Sequence, residues 1–328
     1  MGITVAVCAK KDRVAQMLSE HLNEMYGAYL SACAFDDVEK LISFAAESKC
    51  HLCLVTKGSL SAYQTEQLLK TTEKLHFFTQ DKEDDGIYLY RSAEAIGRDI
   101  FALYTEEFAP ENGQDGNHSH RRQMKVIGFY SPVRSILQSS LALTMGQLMA
   151  KERKVLYLNF EPYSGFEYLM QKHFTKDLSD LLFYVKEDTS KFACRLKGIT
   201  QQVGNLFYVP PVFAYPDLEG VDASLWQRLL QSIVDDTEYD LLILDLTEQI
   251  CGLFRLLAFC DEIYTCHEGS DLAQAKLHQY EEMLSYLQKQ EILEKTRKVT
   301  IPTFRSMPGY AALLTHGEMA QFVESMMT

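Results

Sequence analysis

The turn SPVRSIL (131–137) separates a β-type run, MKVIGFY (124–130), from a long apolar helix pattern, ILQSSLALTMGQLMAKE. A turn in that position can build a phosphate cradle, provided it has the right residues. Glycines let successive N–H groups face the phosphates, a lysine meets the β- and γ-phosphates, and a hydroxyl holds Mg²⁺. This turn has neither glycine nor lysine, and the polar groups it offers a nucleotide are Arg134, Ser135, Gln138, Ser139 and Ser140. Two carboxylates close later apolar strands: Glu161 follows KVLYLNF and Asp245 ends LLIL. A carboxylate closing a strand is an ordinary structural feature.

Other reactive side chains are less well placed. Cys50 and Cys53 form a C-x-x-C, but they flank the apolar run of a buried strand, and no second pair completes a metal site. Cys260, Cys266 and His267 read as core or strand-end residues, and His118 and His120 fall in a polar linker. The adjacent acids Asp235-Asp236 and Asp261-Glu262 read as solvated loop charges. No G-x-S-x-G or H-E-x-x-H is present.

The elements that position these groups alternate. Strands at 3–8, 28–34, 51–56, 74–78 and 86–90 are interleaved with helices at 12–26, 36–47, 60–70 and 92–107. The stretch 109–122 has no apolar periodicity and reads as a linker. Strands are then expected at 124–130, 154–160, 205–211, 239–246, 262–267 and 298–302. Helices are expected at 136–152, 178–187, 224–236, 271–290 and 317–327. Trp226 is expected to anchor the core. The pattern predicts an α/β protein of two doubly wound parallel-sheet domains, 1–108 and 123–328, joined by 109–122.

Composition bounds the function. The chain has 328 residues, 47% apolar and 23% charged, which suits two ordinary globular domains. The net charge of −13 argues against nonspecific nucleic-acid binding. The basic stretch Lys295-Thr296-Arg297-Lys298 reads as a helix end with favourable dipole charges. No apolar run reaches the ~18 residues needed to cross a bilayer, and the opening MGITVAVCAKKD is too short for a signal peptide. The eight cysteines are then expected to be reduced, and the protein cytoplasmic.

The string VIGFYSPV, followed by a helix with LALxxGQLxA, resembles the P-loop region of the MinD/ParA group of ATPases. The segments KVLYLNFEPYSGF, DLSDLLFYVK, YDLLILDL and CDEIYTCHEGSDLAQAKLHQYE follow in matching order. Over the whole chain the arrangement is most similar to the TadZ/CpaE pilus-assembly proteins: a receiver-like, flavodoxin-like domain, then a MinD-like P-loop NTPase fold. Laid on the family's K-G-G-x-G-K-T, its first lysine falls on Val133 and its glycines on Arg134, Ser135 and Leu137. Its phosphate lysine falls on Gln138 and its Mg²⁺-binding threonine on Ser139. The family's D-x-D-P reads Asn159-Phe160-Glu161-Pro162, and Asp245 matches a second Mg²⁺-linked acid. The resemblance implies that Ser139, Glu161 and Asp245 would be the Mg²⁺ ligands if a nucleotide binds, although a carboxylate closing a strand accounts for Asp245 equally well.

These departures imply that ATP and Mg²⁺ are not required and that ATP hydrolysis is negligible, since losing the lysine and glycine removes several kcal/mol of phosphate stabilisation. Arg134 could restore part of the charge. The receiver resemblance fails at its chemistry too: the third strand ends in Thr56-Lys57, Ala9-Lys10-Lys11 follows the first strand with only Asp12 acidic, and Arg91 stands near the usual lysine. The expected role is a pseudo-receiver joined to a pseudo-ATPase, a scaffold or localisation factor acting by protein contacts. Its expected partners are a second copy or an active paralogue, together with pilus or secretion assembly proteins, and it is recruited to the inner face of the membrane or the cell pole. The alternative is an ATP-binding switch or weak ATPase. The family's basic membrane-binding tail has no counterpart in GEMAQFVESMMT, whose Met319, Phe322, Val323, Met326 and Met327 are expected to pack on the domain.

Overall fold

A computed structural model describes residues 3–9, 13–27, 29–81, 84, 86–108, 124–187 and 191–327. The linker 109–122 with His118 and His120, and the triplet Lys10-Lys11-Asp12, lie outside the described residues. Contacts divide the chain into two compact units, Met1–Ala109 and Pro110–Thr328.

The first unit runs β1 (Ile3–Cys8), α1 (Val14–Tyr26), β2 (Leu30–Phe35), α2 (Val38–Glu47), β3 (Cys50–Thr56), α3 (Ala62–Thr71), β4 (Thr72–Thr79), β5 (Ile87–Tyr88) and α4 (Ala93–Glu107). Its strands are all parallel, in the order β2-β1-β3-β4-β5. Strand side chains alternate between faces, so Ala6, Cys8, Cys53 and Val55 share one side with Leu41 of α2 and Leu68 of α3. Helices α1 and α4 pack together, with Tyr26 stacked on Phe101 at 4.3 Å. The expected strand 86–90 shrinks to Ile87–Tyr88, and Gly86, at φ 138°, stands outside extended backbone at its start.

The second unit continues with β6 (Lys125–Phe129), α5 (Gln138–Met149), β7 (Val155–Asn159), α6 (Phe166–Met170), α7 (Leu178–Glu187), α8 (Phe192–Ile199), β8 (Gln201–Val203) and β9 (Leu206–Val209). After these come α9 (Ala223–Asp236), β10 (Leu241–Asp245), α10 (Leu253–Phe259), β11 (Glu262–His267), α11 (Asp271–Tyr286), α12 (Gln290–Lys295), β12 (Thr296–Thr300) and α13 (Glu318–Met327). The sheet order is β12-β11-β6-β10-β7-β9-β8. The expectation of a wholly parallel sheet fails at one edge, where β8 pairs antiparallel with β9 through the tight turn at Gly204 (φ 57°).

The buried strands β6, β7 and β10 have two apolar faces. Val126, Leu156 and Leu244 face one cluster with residues of α7–α12, and Ile127, Tyr157 and Ile243 face another with α5 and α13. Trp226 is fully buried edge-on against Phe160. Met319 and Val323 of α13 are buried beside α5, while Met327 stays exposed. The basic stretch 295–298 is not simply a helix end, since Thr296, Arg297 and Lys298 belong to β12. There Arg297 pairs with Glu262 at 2.7 Å and Lys298 with Glu281 at 2.7 Å.

Candidate functional site

The parallel register brings three strand ends into one row: Asp245 lies beside Phe129 of β6 on one side and Asn159 of β7 on the other. The loop 130–137 leaves β6 at this row. Its start is tied down by the Ser131 hydroxyl, which donates to the Cys266 carbonyl on β11 at 2.5 Å. Arg134 has left-handed backbone, φ 59°, and its N–H donates to the Ser131 carbonyl. Its guanidinium is exposed and pairs with Glu248 at 2.5 Å. The helix α5 then begins at Gln138 without a side-chain cap.

Gln138 turns inward. Its Nε2 donates to Asp245 Oδ1 at 2.6 Å and to the Leu246 carbonyl at 3.0 Å, and the residue is buried. The other carboxylate oxygen of Asp245 is met from β7, where Tyr157 Oη donates at 2.7 Å and Asn159 Nδ2 at 2.9 Å. Asn159 Nδ2 also approaches Tyr157 Oη at 3.0 Å, and Asn159 Oδ1 accepts the Glu161 N–H. Both oxygens of a fully buried acid are therefore served by neutral donors from this chain.

Desolvation dominates the electrostatics. Burial raises the Asp245 pKa, against hydrogen bonds from Ser139, Gln138, Tyr157 and Asn159 that pull it back. The half-buried Glu161 is pushed up to about 7 by burial and then by the charge of Asp245, with Ser139 opposing. Burial and the Asp245 charge also drive the Tyr157 phenol well above its usual value.

Of the residues singled out from sequence, Gln138, Ser139, Glu161 and Asp245 come together. Arg134 faces Glu248 instead, Ser135 contributes its carbonyl to the Gln138 N–H, and the Ser140 carbonyl accepts from Thr144. The sequence reading missed Tyr157. Its signal was a polar pair, Tyr157 and Asn159, two apart and so on one face of an otherwise aliphatic strand.

A Mg²⁺–nucleotide does not fit this donor set. Mg²⁺ is held through carboxylates with room for several waters, whereas Asp245 is already saturated. Among the described residues, no group of three or more His, Cys, Asp or Glu could hold a metal. The Gln138 amide at the first turn of α5 is neutral and committed to Asp245.

In the first unit, Thr56 is buried at the end of β3, Lys57 pairs with Asp84 at 3.1 Å, and Arg91 pairs with Asp99 of α4. A 230 Å³ depression bordered by Cys8, Asp36, Asp37, Glu39, Ser59 and Gln64 has carboxylates that are already engaged. Asp36 pairs with Lys40, Asp37 caps α2, and Glu39 accepts from Gln64. Cys50 and Cys53 are buried with their sulfurs 3.5 Å apart.

No protein-family description and no curated protein matches the chain. Several solved structures are similar to part of it. A ParA family ATPase from Chlorobium tepidum shares 17% identity over 54% of this chain and 73% of that one, with a TM-score of 0.45. A putative plasmid partition protein from Borrelia burgdorferi bound to AMPPNP shares 15% over 63% of this chain and 100% of its own, at 0.43. Apo McdA from Cyanothece shares 15% over 62% and 82%, also at 0.43. Among the described residues, no helix is long and apolar enough to cross a membrane.

Proposed function

We propose that this chain is a non-catalytic scaffold or localisation factor of TadZ/CpaE type, built on a MinD/ParA-type P-loop fold and acting through protein contacts in pilus assembly or polar positioning. The observation that carries the reading is the saturation of Asp245 by Gln138, Tyr157 and Asn159. A buried acid that would face Mg²⁺ in an active relative is satisfied internally, so the fold holds together without nucleotide. The strand order β2-β1-β3-β4-β5 is the flavodoxin-like order, which supports a receiver-like first unit. Among the described residues Thr56 and the engaged acids supply no phosphoacceptor chemistry, and the unit is read as a docking or dimerisation unit.

Partners of the second unit meet the loops at the carboxyl ends of its strands. Ile136, Tyr163 and Phe213 are each more than 80% exposed there, and side chains so large and apolar are the kind that contacts cover. A second copy or an active paralogue is the proposed occupant. The test is an ATP hydrolysis assay of the purified protein against the double variant Leu137→Gly/Gln138→Lys. The reading requires no turnover by the wild-type chain. Turnover that Asp245→Asn abolishes would identify a working ATPase and defeat it.

A further inference from the structure

The first unit's sheet has two edges, β5 and β2. An open edge presents unpaired N–H and C=O groups and invites pairing with another chain, and proteins blunt it with short strands, charge, proline or a covering element. The β5 edge is blunted by length, because that strand has two residues. The β2 edge is six residues long, and the run YLSACAF (29–35) carries no charge, no proline and no glycine. By sequence it is the kind of strand that self-associates.

The structure provides a different closure. Asn23, in the last turns of α1, places its side-chain amide against Ala32, in the middle of β2. Asn23 Oδ1 accepts the Ala32 N–H at 2.7 Å, and Asn23 Nδ2 donates to the Ala32 carbonyl at 2.8 Å. In a parallel ladder a residue's N–H and C=O point to the same side, and here both are bonded to Asn23, so they face away from β1. A further strand would offer Ala32 the same two bonds. The asparagine side chain carries the donor and acceptor of a peptide unit in one plane, which is why it can stand in for that strand.

The chain is folded locally to make this contact. At Gly27, just past the end of α1, a Cβ would come within 2.4 Å of the Asn23 carbonyl oxygen, so the tight exit that turns α1 back onto β2 requires glycine. Tyr29 closes the same exit by donating its N–H to the Tyr26 carbonyl at 2.8 Å. We infer that Asn23 is an edge lock: its amide occupies the strand-pairing groups of Ala32 and keeps β2 from pairing with β2 of a second copy. This goes beyond the scaffold reading and does not depend on it.

The test uses the full chain with Asn23→Ala and the double variant Asn23→Ala/Ser31→Lys. Alanine favours the helix, so α1 is retained. Sedimentation velocity over a concentration series and hydrogen exchange at the Ala32 amide are the readouts. The lock predicts exchange at Ala32 up to about tenfold faster in Asn23→Ala at low concentration, the scale of one lost hydrogen bond. It also predicts an added association step, reversed in the double variant by a charge on the edge while Ala32 exchange stays fast. Unchanged exchange and unchanged association in Asn23→Ala would overturn the inference. So would association that Ser31→Lys fails to reverse, since it would not run through β2.

Discussion

The Gln138 amide nitrogen and the Asp245 carboxylate lie 2.6 Å apart, although 107 residues separate them in the chain. The contact spans the first turn of α5 and the end of the central strand β10. It puts a neutral donor on a buried acid where the loop 130–137 meets the sheet.

Removing Gln138 takes the amide donor from Asp245 Oδ1, whereas removing the Tyr157 hydroxyl leaves Oδ2 with Asn159. Gln138→Ala is expected to destabilise the protein by about 1–3 kcal/mol, and Tyr157→Phe by less, about 0.5–1.5 kcal/mol. Urea unfolding of both variants checks this. Stabilities equal to wild type would mean that the network contributes nothing to the fold.

Glu161 makes stability depend on pH in a stated direction. Its folded pKa, about 7, stands above its ordinary value of 4.5, so the folded state holds the proton more tightly. The stabilisation is fully present below 4.5 and is lost as pH rises through about 7, by about 1–2 kcal/mol once solvent screening of this half-buried group is allowed for. Glu161→Gln should flatten the decline between pH 5 and pH 7.5 measured by denaturant titration. Parallel profiles for the two proteins would rule the effect out.

Gly252 enters α10 at φ 80°, and a Cβ there would stand 2.2 Å from the Ala223 Cβ. Left-handed backbone and a contact with a neighbouring helix both penalise alanine. Gly252→Ala should cost about 2–4 kcal/mol, read as a fall in the thermal midpoint. A loss below about 0.5 kcal/mol, the range of an ordinary surface change, would mean that the loop relaxes freely.

Much of this fold was legible in the residues. The helix Leu178–Glu187 and the strand Glu262–His267 have the bounds their periodicity predicts, because each carries a full apolar face. The short α6, α12 and β8 were not legible, since elements of three to six residues owe their form to packing rather than to their own pattern. The missing lysine and glycines of the loop could be read directly, as could the acid at Asp245. That Gln138 folds inward could not, because it depends on the register that aligns Phe129, Asp245 and Asn159. Arg134 looked available to a phosphate until Glu248, more than a hundred residues away, was placed against it.

The central claim is that the loop at 131–137 of this chain holds no nucleotide, and calorimetric titration of wild-type protein with ATP, with and without Mg²⁺, tests it most directly. The account predicts no saturable heat up to millimolar ATP, with binding emerging in the Leu137→Gly/Gln138→Lys variant. Micromolar, Mg²⁺-dependent binding by the wild-type chain would contradict it and would make the loop at 131–137 a working nucleotide site.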